Sequence, residues 1–204
     1  MKIICIGKNY VEHAKEMNSD VPVNPVFFLK PDTALLGKGQ DFYYPEFTNE
    51  LHYEAEIVLK ICKNGKHIDE KYASSYYNEI GLGIDFTARD KQDEAKKKGL
   101  PWEIAKAFDN AAVISDKFIL KSDFETINAI PFSLKINNNL VQSGNTQDLI
   151  FSFDKVIAYV SKFITLKQGD YLFTGTPKGV GPVKIGDHLQ GFIDSNQLLD
   201  FFIK

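Results

Sequence analysis

The chain has 204 residues, with 24 Lys and Arg against 27 Asp and Glu, a formal net charge of −3, two cysteines and 44% hydrophobic residues. A single domain of this length buries roughly 70% of the surface its unfolded chain exposes, so it needs no disulfide or other staple to form a core. The mild acidity excludes a phosphate-neutralising nucleic-acid surface, the cysteine count excludes a disulfide framework, and no apolar run reaches the roughly 18–20 residues that cross a bilayer.

The opening MKIICIG has too short an apolar core for a signal peptide, so the expectation is a cytoplasmic protein without membrane or nucleic-acid partners. Residues 2–6 form a short apolar run, and residues 10–17 have the composition of a helix stopped by Asn18, Ser19 and Asp20. Pro22, Pro25 and Pro31 forbid a helix next, and the intervening PVFFLK reads as a buried strand. Residues 51–61 alternate, with Leu51, Tyr53, Ala55, Ile57, Leu59 and Ile61 on one face and His52, Glu54, Glu56, Val58 and Lys60 on the other, which predicts one strand. Residues 78–88 predict a further strand ending near Asp85, and residues 89–98 a helix stopped by Gly99 and Pro101. On that helix Lys96, Lys97 and Lys98 follow Asp93 and Glu94 and read as a solvated face.

Residues 132–136 and 140–143, joined by Asn137-Asn138-Asn139, predict a hairpin. Residues 148–164 predict an amphipathic helix whose start is extended in character at Phe151 and Phe153. The tail alternates DYLFTG, DHLQGFID and QLLDFFIK with turns, and Cys5 and Cys62 lie in apolar runs where a thiol behaves as a small buried hydrophobe. With 16 Phe and 9 Tyr spread over short β-rich runs and no repeat or linker, the expectation is one mostly β domain, α+β in class, over residues 1–204.

Four constellations carry chemistry. In HYEAEI, residues two apart on a strand point the same way, bringing Glu54 and Glu56 together beside His52. Such a pair is either a divalent-cation site, with Mg²⁺, Mn²⁺ or Ca²⁺ preferred by hard oxygen ligands, or a solvated polar face. In GIDFTARDKQ, Asp85 at a strand end is either a ligand or a helix N-cap. In HAKE, His13 and Glu16 share a helix face, as a carboxylate-oriented general base or as a surface ion pair. In LFTGTPKGVGP, the amides around Gly175, Gly179 and Gly181 form either an anion-binding nest or a plain turn cluster, without the pattern of a nucleotide P-loop. Lys106, alone amid apolar neighbours in IAKAFDN, either steadies a substrate carboxylate or snorkels to water.

Taken together, IGKNYVEHAKEM, PVFFLKPDTAL, ELHYEAEIVLKI, GIDFTARDKQ, WEIAKAFDN, NNLVQSGNTQDLIFS and GDYLFTGTPKGVGPVKIGD closely resemble the fumarylacetoacetate hydrolase family in its short form, over nearly the whole chain. The resemblance implies a rolled mixed sheet with a few short helices and one Mg²⁺ or Mn²⁺ on Glu54, Glu56 and Asp85. It also implies a His13–Glu16 dyad on a mobile lid of residues 8–20, a conserved lysine at Lys106, substrate contacts from Lys8, Gln92 and Thr176, and a homodimer. Where many members carry Asn-Asp this chain has Ile84-Asp85, and where some carry Arg it has Lys8, which keeps the charge but loses the bidentate fork. The expected reaction is metal-dependent C–C hydrolysis of a β-diketo acid of acylpyruvate or fumarylpyruvate type, giving pyruvate and a carboxylic acid. The alternatives are oxaloacetate decarboxylation, isomerisation of a 2-hydroxyhepta-2,4-diene-1,7-dioate type of substrate, and non-catalytic, metal-dependent binding of a 2-oxo acid.

Overall fold

The computed structural model describes residues 1–17 and 19–204. In chain order its main elements are β1 (Ile3–Gly7), α1 (Val11–Glu16), β2 (Val26–Lys30), β3 (Leu51–Tyr53), β4 (Ala55–Ile61), α2 (Glu70–Ala73) and β5 (Tyr77–Asp85). There follow β6 (Thr87–Ala88), α3 (Arg89–Lys98), α4 (Glu103–Lys106), β7 (Ala112–Ile114), β8 (Ile119–Leu120), β9 (Pro131–Ile136) and β10 (Asn139–Asn145). The last are α5 (Phe153–Ser161), β11 (Tyr171–Phe173), β12 (Gly181–Pro182), β13 (His188–Ile193) and β14 (Asn196–Phe202).

A seven-stranded sheet runs β2-β1-β11-β4-β5-β7 with β8 also on β5, beside a four-stranded sheet β10-β9-β13-β14 and a small one β12-β3-β6. The β1–β11 pair is parallel and β1–β2 antiparallel, so the large sheet is mixed, and the architecture is mostly β with short helices. The larger apolar core lies between these layers, where Ile57, Leu82 and Ile84 of the large sheet join Leu134, Leu189 and Phe201 of the four-stranded one, and a smaller one gathers Ile3, Cys5, Val58, Ala112 and Phe173. Helix α5 adds Phe153, Val156, Ile157 and Val160, the i, i+3, i+4, i+7 stripe of an amphipathic helix. Among the described residues no helix is long and apolar enough to cross a membrane.

The register of β4 on β5 is what gathers the acidic residues. It pairs Ala55 with Ile84 and Glu56 with Gly83, so Glu54 lies across from Asp85, whose amide donates to the Glu54 carbonyl at 2.8 Å. Directly opposed residues of an antiparallel pair share a face, and so do residues two apart on one strand. Glu54, Glu56 and Asp85 therefore project to the same side.

Helix α3 matches its predicted span and stops at Gly99, in the left-handed conformation at φ 66°. Asn137 and Asn138 turn the β9–β10 hairpin with φ of 51° and 66°, as a type I′ turn requires. Two expected elements differ. The single strand over 51–61 is interrupted at Glu54, because the Ala55 amide turns to the side-chain Oε1 of Gln142 at 2.9 Å. The helix expected over 148–164 begins only at Phe153, behind Ser152, whose hydroxyl accepts from Lys155 N at 3.3 Å. Residues 149–151 are held out of the helix: Leu149 bridges Tyr10, Ile150 N donates to the Asn9 carbonyl, and Phe151 N to Asn9 Oδ1. Cys5 is buried as expected, whereas Cys62, just past the end of β4, is half-buried. Asn18, one of the expected helix stops, lies outside the described residues.

Asn9 itself is fully buried and spends its side chain on backbone: Nδ2 donates to the carbonyls of Phe151 at 3.0 Å and Thr174 at 2.8 Å, and Oδ1 accepts from Phe151 N at 2.8 Å. It ties the root of α1 to the segment after β11. Asn9→Ala strands these buried groups, and the expected loss is about 3 kcal/mol of unfolding free energy in a denaturant titration; an unchanged midpoint and slope would contradict this role.

Candidate active site

At the mouth of the β4–β5 pair, Glu54, Glu56 and Asp85 are all buried, and one carboxylate oxygen from each lies within 4.8 Å of the others. Buried charges require partners, and here they come from five directions. Glu54 Oε1 accepts from Arg89 Nη2 at 2.6 Å and from Thr87 Oγ1 at 3.0 Å, while its Oε2 accepts from Lys106 Nζ at 2.8 Å. Lys106 Nζ also donates to Asp85 Oδ2 at 3.0 Å. Glu56 Oε2 accepts from Gly175 N at 2.7 Å. Behind Asp85 stands Lys30, whose ammonium lies 2.7 Å from Oδ1 while donating to the carbonyls of Phe86 at 3.3 Å, Ala111 at 3.1 Å and Lys106. Those carbonyls take the Lys30 protons, so Asp85 Oδ1 is close to a cation and yet receives no hydrogen bond.

The carboxylates are not equivalent. Burial alone would raise the Glu54 carboxyl, but the Lys106 and Arg89 cations outweigh it and hold Glu54 below the usual carboxylate range. Burial, reinforced by the charges of Asp85 and Glu54, pushes Glu56 well above that range. Lys106 is raised, because the Asp85 and Glu54 charges overcome the burial that would lower it. A set of hard oxygen donors with an unpaired lone pair on Asp85 and an under-compensated Glu56 fits a divalent cation of the Mg²⁺ or Mn²⁺ kind.

A cavity of about 300 Å³ opens above the cluster. Lys8, His13, Gln92, Lys106 and Thr176 line it together with the three carboxylates, so eight of the nine residues expected from the sequence meet there. The ninth, Glu16, stands behind His13: its Oε2 is 3.1 Å from His13 Nδ1, and its carboxylate accepts from Gly179 N at 3.0 Å. The His13 side chain is only 9% exposed, which sets this pair apart from a surface ion pair. Thr176 Oγ1 donates to the Ala55 carbonyl and accepts from Gln142 Nε2, each at 2.9 Å, and Gln92 Oε1 accepts from Arg89 Nη1 at 2.6 Å.

Three simpler readings of the sequence do not hold. Asp85 does not cap a helix, since α3 starts behind Ala88 without a side-chain cap. Lys106 does not reach water, being 3% exposed. The glycine-rich turn does offer amides to anions, but the anions are Glu56 and Glu16 of the same chain. Lys30, Asn9, Gln142 and the bridging role of Arg89 escape sequence reasoning; a lysine inside the apolar run PVFFLK is the one signal that points to any of them.

Comparison with known proteins gives a consistent result. The family described as fumarylacetoacetate (FAA) hydrolase C-terminal matches residues 2–199. The chain is 44% identical to the mitochondrial oxaloacetate tautomerase of Mus musculus, over 99% of this chain and 91% of the relative. It is 40% identical to the mitochondrial oxaloacetate decarboxylase of Dictyostelium discoideum, over 91% of this chain and 85% of the relative. Among solved structures, fumarylpyruvate hydrolase from Pseudomonas aeruginosa in complex with Mn²⁺ and pyruvate superposes with a TM-score of 0.93 at 35% identity, covering 100% of this chain and 89% of the other.

Two outcomes follow from the electrostatics. Because folding raises the Glu56 carboxyl, its stabilising contribution to the metal-free protein is present below the ordinary carboxylate pKa and is lost as pH rises. At pH 8 without metal, Glu56→Gln is therefore expected to melt at or above the wild-type temperature while its Mn²⁺ affinity, read by calorimetry, drops by about tenfold or more; a metal-free melting point several degrees lower would contradict this. Lys30→Met leaves Asp85 Oδ1 and three carbonyls without their cation and is expected to cost about 3–5 kcal/mol in guanidinium unfolding.

Proposed function

The chain belongs to the fumarylacetoacetate hydrolase family, and from that premise we propose that it is a divalent-cation-dependent enzyme of oxaloacetate, forming its enolate for keto–enol exchange and for loss of CO₂ to give pyruvate. The observation that carries this reading is the buried cluster of Glu54, Glu56 and Asp85, with Lys106 Nζ between two of the carboxylates at the floor of the cavity. The names borne by the relatives from Mus musculus and Dictyostelium discoideum support the choice of substrate.

Glu54, Glu56 and Asp85 would hold one Mg²⁺ or Mn²⁺, which when bound supplies Lewis-acid polarisation of a 2-oxo acid. Lys106 adds a charge-assisted donor for the oxygen that becomes anionic. Lys8, Gln92 and Thr176 orient the substrate carboxylate. His13, with Nδ1 turned to Glu16, has Nε2 left to move a proton. In enolisation that proton leaves C3 and the C–H electron pair becomes the C2–C3 π bond, with the carbonyl pair moving to the C2 oxygen. In decarboxylation the C3–C4 pair plays the same part, CO₂ departs, and C3 is protonated.

A second reading, hydrolysis of an acylpyruvate, is favoured by the His13–Glu16 dyad with its buried imidazole, which a decarboxylation does not need. There His13 takes a proton from water as the oxygen adds to the distal carbonyl, and the breaking C–C bond leaves its pair in pyruvate enolate. The segment 8–20, which carries the dyad and hangs from Asn9, serves in both readings as the lid that excludes bulk water.

The test follows enol consumption and pyruvate release from oxaloacetate and from acetylpyruvate, with Mg²⁺, Mn²⁺ or chelator. Turnover of oxaloacetate is expected only with metal. Lys106→Met should slow both oxaloacetate reactions by about 10²-fold or more, whereas His13→Ala should remove acetylpyruvate hydrolysis by about 10²–10⁴-fold and affect decarboxylation least. Oxaloacetate left inert by the metal-loaded protein would refute the proposal.

A further inference from the structure

Of the three lysines that close α3, Lys98 pairs in solvent with Glu94 at 2.6 Å and Lys97 is exposed. Lys96 is exposed too, but it alone of the three lines the cavity. It shares a helix face with Arg89 and Gln92, at i, i+3 and i+7, and all three residues border the same space. Its ammonium stands 5.9 Å from the Trp102 ring, and its ion pair with Asp93 is loose, at 3.8 Å. Of the other cations on the cavity wall, Lys106 is committed to Glu54 and Asp85 and Arg89 to Glu54 and Gln92, while Lys8 is taken by the first substrate carboxylate in the preceding reading.

The direction of this stripe is fixed. Arg89 anchors the start of α3 to Glu54, so the face runs from the carboxylate cluster outward, and seven residues advance it about 10 Å along the axis. Helical side chains lean back toward the amino end, which returns the Lys96 ammonium toward Gln92 and the upper wall of the cavity. A 2-oxo acid engaged at the cluster through its first carboxylate and keto group extends its far end toward that wall. Partial burial and the Arg89 cation lower the proton affinity of Lys96 more than the Asp93 and Glu54 charges raise it, so an incoming anion would find this ammonium under-compensated.

We propose that Lys96 forms a subsite for the second carboxylate of a dicarboxylic 2-oxo acid, and that by pairing with this group it both selects the substrate and restrains its loss as CO₂. The inference rests on the preceding reading that a 2-oxo acid occupies the cluster. Decarboxylation converts the C4 carboxylate into neutral CO₂, so an ion pair stabilises the ground state more than the transition state and slows that step. Enolisation keeps the carboxylate charged throughout and loses nothing to the pair. Lys96 is thereby a specificity-determining residue that turns one enolate-forming site toward keto–enol exchange.

Lys96→Gln and Lys96→Arg test it, in the metal-loaded enzyme, at a half-exposed position where neither change disturbs the core. In Lys96→Gln the KM for oxaloacetate is expected to rise about tenfold, the value of one lost charge-assisted contact. The ratio of kcat/KM for oxaloacetate to that for acetylpyruvate should fall by a similar factor, and the number of CO₂ molecules released per enolisation should rise severalfold. Lys96→Arg is expected to restore both. Pyruvate, which has no second carboxylate, serves as the reference ligand in Mn²⁺-dependent calorimetry. If neither wild type nor variant binds pyruvate or turns over oxaloacetate, the reading of the cluster falls and the subsite with it. If both proteins do so and Lys96→Gln leaves the KM and the partition between exchange and CO₂ release within twofold of wild type, the subsite alone is overturned.

Discussion

The arrangement turns on a buried clasp of alternating charge: Lys30, Asp85, Lys106, Glu54 and Arg89, each within 3.0 Å of the next. Unpaired, any one of these ions would be intolerable at such burial; as a chain each lies against an opposite charge, and its three cations exceed its two carboxylates by one. Each comes from a different stretch of sequence: Lys30 from the end of β2, Asp85 from the end of β5, Lys106 from α4, Glu54 from the break between β3 and β4, and Arg89 from the start of α3. The clasp is therefore at once an electrostatic necessity and the fastener of five segments. It leaves Glu56 with an amide for its partner and no close cation, so the remaining negative charge is delivered to one place, the floor of the cavity.

The glycine-rich loop after β11 links this floor to the dyad above it. Gly175 offers its amide to Glu56, and Gly179 offers its amide to Glu16. Both have positive φ, 106° and 95°, and both are crowded where a side chain would begin, by Asn9 Cβ at 2.7 Å and the Val141 carbonyl at 2.6 Å. Only glycine meets both demands. The loop thus fixes the distance between the proposed cation ligands and the proposed base through backbone groups, while Gln142 ties the same loop to the Ala55 amide at the strand break.

Local chemistry was readable where the partners are local. Helix α3 and its glycine stop, the Asn137-Asn138 turn and the end of β5 near Asp85 all follow from residues a few positions apart. The break at Glu54 does not, because it is caused by Gln142, and neither does the late start of α5, because Asn9, 142 positions from Phe151, holds the preceding residues out of the helix. The same separation explains the site. Glu54, Asp85 and Lys106 each have a plain local reading, as surface acid, helix cap and snorkelling base, and their charges acquire meaning only from one another across 21 to 52 positions. The family resemblance groups Glu54 with Asp85 as cation ligands and marks Lys106 as a conserved lysine; it offers nothing on the ion pairs of Lys106 or on Lys30, whose carbonyl partners lie 56 to 81 positions away.

Relatives of this chain bear the names of a tautomerase, a decarboxylase and a hydrolase, and the geometry accounts for such breadth without changing the floor of the site. All three reactions place negative charge on the same oxygen of a 2-oxo acid, so under the proposed function a cation held by Glu54, Glu56 and Asp85, with Lys106 beside it, would serve each equally. What must differ is the treatment of the far end of the substrate: a base is needed to move a proton there, a free carboxylate is needed to leave as CO₂, and a carbonyl is needed to accept water. Those choices belong to the upper wall, where His13, Trp102 and Lys96 stand. Exchange of one wall residue would therefore alter the reaction without touching the clasp beneath, where loss of a single partner strands a buried charge.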